Sequence, residues 1–187
     1  MKRNNIKEII SKRDWDLLIA SYSIEDICVT LGFREAMRLV NQLFYDNMQD
    51  DAIQQFALNL TVKIKNYFKQ QWEEDWKNDV FLGHLYSVLW QYEDQYICYK
   101  RAYDKLVDPP EALLLLLAGC DDASLVPVEV LESYLERAIN KQLTYEAALM
   151  MRALYRCKVD HKMEEYWDKM CKEIEQKKMH TQTIMVV

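Results

Sequence analysis

"DDAIQQFALNLTVKIKNYF", residues 50–68, decides the fold class. Ile53, Phe56, Ala57, Leu60, Ile64, Tyr67 and Phe68 recur in it at steps of three and four. An α-helix turns once in about 3.6 residues, so this spacing gathers them on one face. Asp50 and Asp51 stand at the start, where the helix dipole favours negative charge. A half-buried strand would need alternation with period two, and no stretch stands out for it.

The same signals recur on both sides. "SIEDICVTLG" offers Ser23 as an N-cap, Asp26 three residues on, and Gly32 as a stop. "FREAMRLVNQLFYDN" then sets Met37, Val40 and Phe44 on one stripe. Downstream, helices are expected from Asn78 or Asp79 to about Gln91, and from Glu93 to Leu106. Pro109 and Pro110 separate these from "EALLLLLAG", which is apolar nearly all round and should be buried. Cys120 to Pro127 reads as a loop. Further helices are expected at Pro127–Ile139, Thr144–Arg156 and Asp160–Glu175. The tail 177–187 has no helical period and is expected to be loose.

Only 3 Gly and 3 Pro occur among 187 residues, too few for the tight turns of an all-β protein. The reading is all-α: antiparallel helix hairpins, nine or ten helices, one domain over 1–176. Within it, N-terminal helices fill 1–76 and stacked hairpins fill 78–176.

Charge limits the partners. The net charge is −6, which disfavours phosphate backbones, so no nucleic-acid partner is expected. Phe44 to Glu136 holds 17 acidic against 7 basic residues. The first 13 residues hold Lys2, Arg3, Lys7, Lys12 and Arg13 against Glu8 alone, and read as a solvated basic end. The longest apolar run, Ala112–Cys120, is about half a membrane span, so no membrane partner is expected. Five widely spaced cysteines and no apolar N-terminal run fit a cytoplasmic protein without disulfides.

A spacing repeats. "LGHLY" (82–86) is followed by "YKRAY" (99–103), and Ala118–Gly119 by "LERAI" (135–139). Gly83 to Ala102 and Gly119 to Ala138 are both 19 residues, and Arg101–Ala102 recurs 36 residues later as Arg137–Ala138. Small residues at such points let packed helices approach closely. Leu82, Gly83, Tyr86, Tyr99 and Ala102 resemble the tetratricopeptide-repeat (TPR) family, over roughly half the chain. Departures are Asp79 at the family's Trp, Gln95 at its first Ala, Pro109 two residues late, and Asp122 at the second unit's Tyr. The resemblance implies TPR-like stacking and protein binding on a concave face presenting Val80, His84, Ser87 and Val88.

Chemistry is sparse. Cys157, His161 and Cys171 are the only candidate metal ligands and lack a paired-Cys motif, so no metal or cofactor is expected. Glu73–Glu74, Asp121–Asp122 and Glu164–Glu165 would be the carboxylates of the alternative reading, a small helical enzyme. The sharper candidate is "WEEDW" (72–76). Phe68, Trp72 and Trp76 form a stripe at helical spacing, which closes the core or anchors a partner. The expected partner surface comprises Trp72, Glu73, Glu74, Asp75, Trp76, Asp79, His84, Glu93 and Asp94. Such an acidic-aromatic surface fits a non-catalytic adaptor or inhibitor of a basic protein, an immunity protein against a toxin being one form.

Overall fold

In a computed structural model, residues 2–120 and 125–184 are described, with side chains over 5–120 and 125–177. The described residues are helical, with no strand among them. They form two compact units, 1–105 and 106–187.

The first unit holds α1 (Lys2–Lys12), α2 (Trp15–Ser21), α3 (Ile24–Asp46), α4 (Asp51–Tyr67), α5 (Lys69–Glu73), α6 (Lys77–Val88) and α7 (Tyr92–Asp104). Its core centres on Leu39, Leu43, Leu60, Ile64, Trp72, Leu82 and Leu85. The helix that decided the fold class begins as expected: the Asp50 carboxylate accepts from the N–H groups of Ala52 and Ile53. Ile53, Ala57, Leu60 and Ile64 are buried along it, while Tyr67 is exposed. Ser23 caps α3 by accepting from the Asp26 N–H at 3.1 Å. Gly32 stops the first helical segment of α3, as expected, and a second segment follows it directly. The glycine's φ of +73° makes a kink, after which the helix resumes.

The second unit holds α8 (Glu111–Ala118), α9 (Val128–Lys141), α10 (Tyr145–Cys157) and α11 (His161–Ile184). Among the described residues there are thus eleven helices, not nine or ten. Each helix of this unit packs on the next in sequence. Leu113, Leu114 and Leu117 of α8 are buried, as its composition predicts, together with Leu131, Leu135, Ala147, Ala148 and Met151. Thr144 caps α10 by accepting from the Ala147 N–H, and its hydroxyl donates to Glu111. The expected loose tail is corrected over 177–184, which continue α11. Residues 185–187 and 121–124, with Asp121 and Asp122, lie outside the described residues.

Gly83 does what its spacing implies. A Cβ there would lie 2.3 Å from Tyr99 Cε1 and 2.6 Å from Cδ1. The Tyr99 ring is buried against the glycine, so α6 and α7 can touch only because the side chain is absent. Gly119 is different. It is the exposed C-cap of α8, and a Cβ there would meet nothing closer than 3.4 Å. Equal spacing therefore hides unequal roles. Gly83→Ala is expected to destabilise by about 1–3 kcal/mol despite alanine's better helix propensity. Urea titrations of Gly83→Ala, Tyr99→Leu and the double variant check this. The double variant should cost less than the sum of the singles.

Candidate functional site

The "WEEDW" segment is not one helix. α5 ends at Glu73 and α6 starts at Lys77, so the Phe68–Trp72–Trp76 stripe is broken. The Asp75 carboxylate causes part of the break, by accepting from the Lys77 N–H at 3.0 Å. The Asn78 side chain adds to it by donating to the Trp72 carbonyl at 3.0 Å.

Trp72 points inward and is fully buried. Its indole N–H donates to Asp79 Oδ1 at 2.9 Å. Asp79 is also fully buried, and its other oxygen lies 2.6 Å from Lys105 Nζ. That contact is an ion pair set off hydrogen-bond directionality. Arg101 Nε stands 3.6 Å from the same oxygen. Glu73 pairs with Lys105 at 2.8 Å and with Arg101. Two carboxylates and two cations thus balance at the base of α7. A group without solvent contact cannot meet a partner, so Trp72 and Asp79 are corrected from surface to core, and Glu73 has its charge answered.

His84 is tied to the neighbouring helix. Its Nδ1 lies 2.9 Å from the Tyr99 hydroxyl, and the ring is half buried. Burial pushes the imidazole below its ordinary value of 6.5. Unfolded, the ring takes a proton as pH falls through about 6.5, while the folded ring resists. Stability should therefore begin to fall as pH drops below about 6.5, until pH passes the lowered folded value. Urea midpoints from pH 7.5 to 5, wild type against His84→Gln, test it: the decline should flatten in the variant. Val80, Ser87 and Val88, the other positions of the implied concave face, are partly buried.

Glu74, Asp75, Glu93 and Asp94 remain exposed, and Trp76 is partly so. Sequence reasoning missed the aromatic group beside the last two acids. Trp90 is 77% exposed, Tyr92 41% and Ile97 53%. The Trp90 and Tyr92 rings meet edge-on with centroids 6.1 Å apart. Trp90 sits at φ 59°, in the left-handed region. The turn is a Schellman cap: the Gln91 N–H donates to the Tyr86 carbonyl at 2.9 Å and the Trp90 N–H to Ser87 at 3.1 Å. Glycine usually fills that position, and a side chain there costs about 1–2 kcal/mol. The available signal was an aromatic residue at a helix end where glycine is usual.

Of the carboxylates named for the enzyme reading, Glu73 and Glu164 are ion-paired. Glu164 is held low by Arg156, and Asp168 by Lys172 and Arg152. Glu132 accepts from the Tyr155 hydroxyl at 2.6 Å and from Lys158 at 2.8 Å, which pushes the Tyr155 phenol up to about 12. Among the described residues no group of three metal-ligating side chains converges. Cys157 is exposed, and Cys28, Cys98, Cys120 and Cys171 are buried. No described helix is long and apolar enough to cross a membrane. No protein-family model, no curated protein and no solved structure matches this chain.

Proposed function

We propose that this chain is a stoichiometric protein-binding module, an adaptor or inhibitor, that engages a basic partner through the α6–α7 turn. The observation that carries the reading is Trp90. Folding gains little from a tryptophan left 77% exposed, yet the turn holds it in a backbone state that disfavours any side chain. Tryptophan and tyrosine are the side chains that most often anchor interfaces, where burial against a partner recovers the area folding left open. Glu93 and Asp94 follow directly at the start of α7 and supply the sign of the partner. Carboxylates beside an aromatic anchor steer a basic surface to it, in a salt-dependent way. An inhibitor that masks a basic toxin would be one form of this activity.

The test is affinity capture from native lysate at low and high salt, run beside Trp90→Ala and the double variant Glu93→Lys, Asp94→Lys. A stoichiometric basic protein should be retained at low salt and lost at high salt or with either variant. Trp90 is exposed, so its truncation should leave the far-UV CD melt nearly unchanged. Clean lanes, or a partner that both variants retain equally, would sink the proposal.

A further inference from the structure

A second feature lies on the opposite sign of charge, within the first unit. Between α1 and α3 runs an open groove of about 420 Å³. Its floor is Ile10, Leu31 and Leu39. Lys7, Arg13 and Arg38 line it, with Glu35 as its one acid. Lys7 answers Glu35 at 3.1 Å, and Arg13 reaches Asp46 at 3.2 Å. Arg38 has no ion-pair or hydrogen-bond partner among the described residues, and neither has the Gln42 amide one turn along α3. The pair offers a guanidinium fork and an amide N–H₂ above an apolar floor.

We infer that this groove binds a small organic oxyanion, a phosphate monoester or a carboxylate carrying a short apolar body. Arg38 takes the oxyanion, because a planar guanidinium pairs with two oxygens at once. Gln42 donates to a third oxygen or to a linking atom. The apolar body lies on Ile10 and the edge of Leu31, with Leu39 buried beneath them. The volume is within the range of ordinary small-ligand sites. The groove is basic on a chain whose net charge is −6, so the local sign is not inherited from the whole surface.

Phenyl phosphate is the probe, titrated calorimetrically into the full chain at low ionic strength, with inorganic phosphate and phenol as half-ligands. Phenyl phosphate should bind more tightly than either half. Arg38→Glu should weaken it by about tenfold or more, the loss of a charge-assisted pair. Arg34→Glu makes the same charge change one turn back on the same helix but outside the groove lining, and should weaken it less than Arg38→Glu does, since Arg34 is not placed to pair with the oxyanion. Co-sedimentation with phosphatidic-acid vesicles separates a lipid headgroup from a free ester: vesicle binding lost in Arg38→Glu assigns the site to headgroups. No heat with phenyl phosphate at millimolar concentration, or equal weakening by Arg34→Glu and Arg38→Glu, would overturn the inference.

Discussion

Trp72→Ala is expected to lower the unfolding free energy by about 3–5 kcal/mol, the usual range for truncating a fully buried large aromatic. Two losses add. The indole leaves a cavity among the core side chains of the first unit, where it is fully buried. Asp79 Oδ1 loses the N–H that it accepts at 2.9 Å. A buried carboxylate oxygen left without a donor carries a desolvation cost of about 1–3 kcal/mol. Trp72→Phe separates the two, because it restores most of the ring and none of the N–H. Its cost should lie near the hydrogen-bond share alone. Urea unfolding followed by far-UV CD reads both variants without using the indole as the reporter. A loss below about 1 kcal/mol for Trp72→Ala would contradict the burial of this ring.

Asp79→Ala is the second large effect, and about 3 kcal/mol is expected, the lower end of the range for breaking a buried ion pair. Removing this carboxylate leaves the Trp72 N–H without its acceptor. It also takes from Lys105 Nζ the oxygen at 2.6 Å, in a place that solvent barely reaches. Glu73, at 2.8 Å from the same ammonium, softens the loss and sets the estimate low in that range. Asp79→Asn keeps an acceptor for the indole and removes only the charge, so it should cost less than alanine. Adding Lys105→Met to Asp79→Ala should recover part of the loss, because the stranded cation is then gone. If Asp79→Ala and Asp79→Asn cost the same, the indole hydrogen bond contributes nothing. If Lys105→Met recovers nothing, the ion pair is not what the aspartate supports.

The helices were legible because their signals are local. Asp50, Ser23 and Thr144 each cap the helix that follows within three residues, and the stripe from Ile53 to Ile64 is buried as its spacing predicts. The close approach at Gly83 was also legible, since a small residue facing a buried Tyr leaves a local trace. The electrostatics of "WEEDW" were not. Glu73 finds Arg101 28 positions away, a full hairpin downstream, and no window of sequence shows that the two will meet. Read locally, the segment is acidic; folded, Glu73 is paired with Arg101 and Lys105, while Glu74 and Asp75 stay exposed. The break after Glu73 was legible in principle. Asp75 is a good helix starter, but the four-residue step from Trp72 to Trp76 fits one continuous helix as well. The exposure of Trp90 depends on the backbone angle at the helix end, which composition does not encode.

The order in which the helices touch carries one more consequence. In the second unit α8 packs on α9, α9 on α10 and α10 on α11, and in the first unit the α3–α4 and α6–α7 hairpins are the most extensive pairs. Most partners are therefore close along the chain, and little loop entropy has to be surrendered before a contact forms. Contacts of this local kind favour fast formation of each hairpin. A hairpin can form on the nascent chain as soon as its second helix is made, without waiting for residues far downstream. The protein gains early concealment of its apolar faces, at the stage of its life when nothing else covers them.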